Sequence, residues 1–218
     1  MVCGKFCRGQ ELCDRCLADL QQTPWGIGGL TIAQTRIPVI WRESYGGPLS
    51  GTVVRAKYFG DWGAARLLGQ ELGRLPRPWL GTPPLVVPIP LADSRLAGRG
   101  FNQSQWIATA VAKAWGVPMR PRWLRKTKAS ARQASLARQE RLHNLSGVFC
   151  ASEAVRGQRI VLIDDIMTSG TTLREAAGAI TAGGGQVIAA AVIAHVRQSR
   201  GHLQSNPTRK HHVQRRLI

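Results

Sequence analysis

The sequence predicts an α/β fold built on a parallel sheet, and three observations carry that reading. Arg159-Ile160-Val161-Leu162-Ile163 and Val187–Ala194 are almost wholly apolar runs, the pattern of strands buried on both faces. Between them Leu173, Ala176, Ala177 and Ile180 recur at helical spacing and stop at Gly183-Gly184-Gly185. Strand, helix and strand joined by short links require parallel strands, and ligands of such sheets gather at the strands' carboxyl ends.

The other elements follow in chain order. Residues 25–84 are rich in Gly, Pro and Trp and weakly periodic; within them Ala64–Leu72 is the expected helix, with Ala64, Leu67, Leu68 and Leu72 on one face. Leu85-Val86-Val87-Pro88-Ile89 reads as a strand closed by prolines. Ile107, Ala108, Val111, Ala112 and Trp115 make Ser104–Trp115 an amphipathic helix, which Gly116-Val117-Pro118 ends. Lys126–Asn144 has no face apolar enough to bury and reads as a loop. Val148–Ala151 reads as a strand with Cys150 in the core, and His195 as a hydrogen-bonded structural residue. No internal repeat is present. The expected division is a cysteine-rich module over 1–22, a hood or linker over 23–84, the core over 85–196 and a disordered basic tail over 197–218.

Composition bounds the function. The chain has 218 residues, 44% hydrophobic, with 30 Lys plus Arg against 12 Asp plus Glu and a net charge of +18. That is enough apolar material for a core, and the basic excess attracts polyanions: phosphorylated small molecules, nucleic acid or an anionic surface. No apolar run approaches the ~20 residues that span a bilayer. Met1 and Val2 are followed by Cys3, Gly4 and Lys5 rather than by an export signal, so a cytoplasmic location is expected, where cysteines serve as thiols or metal ligands rather than disulfides. The charge is clustered. Arg120, Arg122, Arg125, Lys126, Lys128, Arg132, Arg138 and Arg141 stand against Glu140 alone, and the tail after Arg197 carries no acid. The tail reads equally as a plain soluble surface or as a nonspecific attractor of DNA.

The chemistry concentrates in Ile160–Leu173, IVLIDDIMTSGTTL. An apolar strand delivers Asp164 and Asp165 to the sheet edge, and the chain then turns through Thr168, Ser169, Gly170, Thr171 and Thr172 into a helix. Small side chains, hydroxyls, a glycine and the free amides of a helix N-terminus make a cradle for phosphate. Two acids beside a phosphate repel it unless they hold sugar hydroxyls or a Mg²⁺ that carries further phosphates. A Thr-capped helix with two idle aspartates is the competing account, and it gives the acid pair no packing rationale. P-loop and dinucleotide-binding glycine motifs are absent.

At these residues the chain resembles the type I phosphoribosyltransferases, through their signature for phosphoribosyl pyrophosphate (PRPP). VVPIPLADSRLAGRGFNQSQ (86–105), QASLARQERLHNLSGVF (133–149) and the N-terminal cysteines narrow the resemblance to the ComF family, over about Cys3 to Ala194. The resemblance implies a type I phosphoribosyltransferase fold: a parallel-sheet core, a hood and a small N-terminal zinc module. It implies that Asp164 and Asp165 hold the ribose hydroxyls of PRPP and that Thr168–Thr172 bind its 5-phosphate. Pro90, Leu91, Ala92, Asp93, Ser94 and Arg95 stand where the family keeps its pyrophosphate loop, and Lys126–Asn144 where a flexible loop closes over the site. Lys57 matches a hood lysine. Displacing pyrophosphate from the ribose builds oxocarbenium character, and the leaving group needs Mg²⁺ and cations, for which Arg95, Arg99 and Arg141 are candidates. Gln133 and Asn144 are further substrate candidates. Asn102 and Gln103, with Arg99, either bind substrate or cap the helix that follows.

Cys3, Cys7, Cys13 and Cys16 lie at knuckle-like spacing and suit a structural Zn²⁺. The family's usual arrangement has two C-x2-C pairs; here only Cys13 and Cys16 form one, so either Cys7 is the fourth ligand or a cysteine is missing upstream. The family is associated with natural competence, the handling of single-stranded DNA and a helicase-like partner. Two functions follow: transfer of phosphoribosyl from PRPP to an acceptor, or a non-enzymatic protein that senses PRPP or grips single-stranded DNA by stacking and phosphate contact.

Overall fold

The computed structural model describes residues 12–79, 81–127 and 148–196. In chain order these form α1 (Asp14–Gln22), β1 (Gly26–Ile32), β2 (Thr35–Ser44), α2 (Ser50–Tyr58), α3 (Trp62–Gly73), β3 (Leu85–Pro88), α4 (Asp93–Arg99), α5 (Gln103–Trp115), β4 (Leu124–Lys126), β5 (Phe149–Ala151), β6 (Arg159–Met167), α6 (Thr171–Ala182) and β7 (Gln186–His195). One sheet runs β1-β2-β7-β6-β3; β4 and β5 pair separately.

Alternation along the central strands builds a two-faced core. Val86, Val161, Ile163, Ala189, Ala191 and Ile193 face one layer with Leu68 and Leu72 of α3 and Ile107, Val111 and Trp115 of α5. Val87, Leu162, Ala190 and Val192 face the other, with Leu173, Ala176, Ala177 and Ile180 of α6. The small residues of β7 let helices approach both faces. Helix α3 meets α5 closely for a similar reason: a Cβ on Gly69 would stand 2.5 Å from the Ile107 carbonyl oxygen, and one on Gly73 2.6 Å from the Ala114 Cβ. This close contact fixes where the N-terminus of α5 falls, beside the end of β6.

The β6–α6–β7 unit is parallel, as the apolar runs predict, and β3 joins β6 in parallel. The sheet is nonetheless mixed, because the hairpin partner β1 runs antiparallel to β2. The stretch 23–84, read from sequence as hood or linker, contributes β1 and β2 to the main sheet, with β2 parallel to β7. Strand β6 also runs past Ile163 to Met167, so Asp164 and Asp165 lie within it. Cys150 departs from its expected core position. In the short strand β5 it is Phe149 that points inward, and the alternation turns Cys150 to solvent.

Candidate functional site

The carboxyl ends of β3 and β6 meet the N-terminal turn of α5. Asn102 caps that helix: its Oδ1 accepts from the Ser104 amide at 3.0 Å, and its Nδ2 donates to the Ile89 carbonyl at 3.0 Å. The cap is a Ser/Asn-type start of the kind that satisfies orphan helix amides, and it ties α5 to the end of β3. The next two residues reach the acids. Ser104 Oγ donates to Asp164 Oδ1 at 2.8 Å, and Gln103 Nε2 donates to Asp165 Oδ2 at 3.0 Å. Lys57 Nζ of α2 stands 3.7 Å from the same Asp165 oxygen. The acid pair is therefore buried, 9% exposed at Asp164 and 6% at Asp165, rather than idle at the surface.

Asp164 shares a cavity with the turn that follows β6, lined by Asp164 and residues 166–173. The turn is held open by its own contacts. Ser169 Oγ and Thr171 Oγ1 lie 2.9 Å apart, and Arg174 Nη2 donates to the Ser169 carbonyl at 2.8 Å. Gly170 enters α6 at φ 74°, a left-handed conformation. Thr168, Ser169, Thr171 and Thr172 are exposed, with their hydroxyls at the first turn of a helix of ordinary length. Hydroxyls, helix amides and dipole together favour an anion there.

The residues expected at the site fall in several places. Asp164 and Thr168–Thr172 form the cavity, and Lys57, Asn102 and Gln103 gather around the acids. The pyrophosphate-loop positions leave β3 through Pro90, Leu91 and Ala92, and Asp93, Ser94 and Arg95 open α4. Arg99, at the end of α4, stacks its guanidinium 5.4 Å over the Tyr58 ring. Cys13 is the N-cap of α1 and Cys16 lies one turn on, buried. Arg141, Gln133, Asn144, Cys3, Cys7, the 128–144 part of the expected loop and the 197–218 tail lie outside the described residues. The sequence marks Ser104 only as a helix start; its hydroxyl at the head of a helix whose apolar stripe is buried is the signal that finds it.

Burial pushes the Asp164 carboxyl well above the usual range, and the neighbouring Asp165 charge adds to this; Ser104 and the Asp165 amide pull the other way. Glu43, near the end of β2, is pushed up to about 7, first by burial, against the lowering effect of the Leu49 amide and Arg42. Its two oxygens accept from that amide at 3.2 and 3.0 Å, which holds the start of α2 and so the helix bearing Lys57. A folded pKa above the unfolded value of 4.5 means that the native state binds the proton more tightly. The stability from protonated Glu43 is full below pH 4.5 and is lost as pH rises through about 7. Urea titrations between pH 5 and 8 should therefore show wild type losing stability relative to Glu43→Gln as pH rises. Parallel curves would exclude Glu43 as the titrating group.

The chain is similar to known proteins in sequence. A model of the phosphoribosyl transferase domain matches residues 86–214. The DNA utilization protein YhgH of Salmonella typhi is 34% identical over 114 residues, 52% of this chain and 50% of that protein. Its Escherichia coli K12 counterpart is 32% identical over 98 residues, covering 45% of this chain and 43% of that protein. The chain thus spans about half the length of these relatives. Competence protein F of Haemophilus influenzae is 25% identical over 182 residues, 79% of this chain and 80% of that protein. Among solved structures, the glutamine PRPP amidotransferase of B. subtilis aligns with a TM-score of 0.47 at 20% identity, over 64% of this chain and 30% of that one. No described helix is long and apolar enough to cross a membrane.

Proposed function

The chain belongs to the phosphoribosyl transferase domain family, as a ComF-type member, and on that premise we propose that it binds PRPP with Mg²⁺ and transfers the phosphoribosyl group to an acceptor. The observation that carries the reading is that Asp164 and the hydroxyl-rich turn 168–172 line one cavity. The turn receives the 5-phosphate, whose charge the α6 amides and hydroxyls offset. The acid pair takes the sugar hydroxyls as hydrogen-bond donors, since carboxylate oxygens accept. Hard carboxylate oxygens in that position also fit Mg²⁺, which when bound neutralises pyrophosphate oxygens as they take up charge. Arg95 and Arg99 of α4, and Arg141, are the cations for the departing pyrophosphate. Cys13 and Cys16 supply two thiolates of one helical turn to a structural Zn²⁺, with Cys3 and Cys7 completing it. The names of the relatives support a role in DNA utilization and competence; a cytoplasmic location and a helicase-like partner belong to this proposal.

The test is calorimetric titration with PRPP and Mg²⁺. The double substitution Asp164→Asn with Asp165→Asn is expected to lower affinity at least about tenfold, the loss of one or more charge-assisted hydrogen bonds. Unchanged affinity removes the site assignment. Pyrophosphate release across a panel of bases, nucleotides and single-stranded DNA then identifies the acceptor.

A second reading, single-strand binding without transfer, is favoured by one surface. Tyr58, Phe59 and Trp62 are 64%, 77% and 51% exposed at the α2–α3 turn, which abuts Phe101 through Gly60. Phe101 stacks on Trp106 at 4.7 Å, and Arg66 lies 5.7 Å over the Trp62 ring. Exposed rings among cations suit base stacking with phosphate contact. Phe59→Ala and Trp62→Ala should each weaken oligo-dT binding about tenfold in fluorescence anisotropy, with the salt slope unchanged. Wild-type affinity in both variants would exclude this surface.

A further inference from the structure

Strand β1 is an open edge of the main sheet. At the opposite edge β3 is covered: the Val86 amide donates to the Pro118 carbonyl at 2.9 Å, and the Arg120 amide to the Val86 carbonyl at 2.8 Å. β1 pairs with β2 in unbroken register, from Gly26 opposite Trp41 to Ile32 opposite Thr35, and among the described residues nothing pairs with its outer side. Folded proteins protect such edges with charge, proline, a bulge or a covering element. GIGGLTI has no charge, no proline and no bulge, and the chain carries no charged residue from Leu20 to Thr35. Ile27 is 61% exposed and Trp25 42%, which leaves apolar surface along this edge.

We infer that β1 pairs with β1 of a second copy of this chain, antiparallel and centred on Gly29, so that two sheets join edge to edge. Charge and size both select a second copy. Two chains of +18 repel each other, and they meet most easily where neither presents charge, as along 20–35. With Gly29 on the twofold axis, residues fall opposite each other as large against small: Ile32 meets Gly26 and Leu30 meets Gly28 on one face. On the other face Ile27 meets Thr31, both exposed. The glycine positions are already roofed from β2. A Cβ on Gly26 would stand 2.1 Å from Trp41 Cε2, and one on Gly28 3.0 Å from Trp41 Cζ3, so the indole fills that face and offers its edge to the incoming Ile32. Leu30 stands against Gly170 of the 168–172 turn, so the pairing also braces the strand behind the candidate site. Arg36 opposes it. This exposed side chain of β2 lies over Gly29, its Nε 1.9 Å from where a Cβ would stand, and the pair brings two such cations towards the axis.

Sedimentation equilibrium of the full chain over a concentration series tests the pairing. Wild type is expected to dimerise, and more tightly as salt rises, because salt screens the like charge of the two copies. Ile27→Lys with Thr31→Lys sets like charges opposite each other twice and should weaken the dimer about tenfold or more. Ile27→Lys with Thr31→Glu alters the same two exposed positions but sets opposite charges in register, and should keep the dimer. Arg36→Gln should tighten it. A monomeric wild type overturns the inference and leaves the edge to a strand of a different protein. A dimer that the lysine pair leaves intact, or that salt weakens, is held elsewhere and overturns it too. A lysine–glutamate pair as weak as the lysine pair overturns the antiparallel register. Should the lysine pair fail to fold, Arg36→Gln decides: an unchanged dimer constant excludes this edge.

Discussion

Arg42→Ala should destabilise the fold by ~3–5 kcal/mol, the range for leaving one member of a buried ion pair without its partner. Arg42 sits in β2 at 8% exposure and serves three groups. Its Nη2 donates to the Leu20 carbonyl at 2.6 Å and its Nη1 to the Thr23 carbonyl at 3.0 Å, at the C-terminus of α1. Its Nε lies 3.7 Å from Glu71 of α3, which is 4% exposed. Alanine removes the donors at a helix end and strands Glu71, to which Arg74 still donates from the surface. The result is read as a lower urea midpoint with unchanged slope, and as a melting temperature lower by roughly 10 °C. Arg42→Lys should recover little, since one ammonium cannot span three acceptors. Arg42→Met with Glu71→Met should recover most of the loss by removing both charges. If Arg42→Ala unfolds at the wild-type midpoint, the α1 helix and its Cys13 and Cys16 are not tied to the sheet by this residue.

Arg42 also shows why part of the fold was hidden in the sequence. β6, α6, β7 and α5 were readable because their burial is written locally, as apolar runs or as a stripe at helical spacing. β2 was not: TRIPVIWRES carries Pro38, Arg42 and Glu43, which argue against an interior strand. Their compensation is distant. Arg42 finds Leu20, Thr23 and Glu71, and Glu43 finds the Leu49 amide. The site divides in the same way. The acid pair and the Thr-Ser-Gly-Thr-Thr turn were legible because phosphate chemistry demands those residue types in one contiguous stretch. The role of Asn102, Gln103 and Ser104 was not, since substrate contact and helix capping ask for the same side chains. Only the geometry places their hydrogen bonds on Ile89, Asp165 and Asp164.

The turn itself is most exposed to change at Gly170, where Gly170→Val should lose ~2–5 kcal/mol of stability and about two orders of magnitude in PRPP affinity. Two independent penalties meet there. The residue holds φ 74°, where an L side chain costs roughly 1–2 kcal/mol and a β-branched one more. A Cβ would also stand 2.7 Å from Leu30 Cδ1, a 6% exposed side chain of the edge strand β1, and overpacking such a site costs typically 1–3 kcal/mol. Relief of either penalty shifts the turn, and with it the α6 amides that must converge on one phosphate. Leu30→Ala separates the two. In that background Gly170→Ala has room for its Cβ and keeps only the dihedral cost, so the stability lost to Gly170→Ala should shrink to about 1 kcal/mol. Denaturation midpoints and PRPP titrations of the four combinations give both quantities. An affinity loss that persists when Leu30→Ala has restored stability assigns Gly170 to the phosphate cradle. An affinity that returns in step with stability assigns it to the packing of β1 on α6.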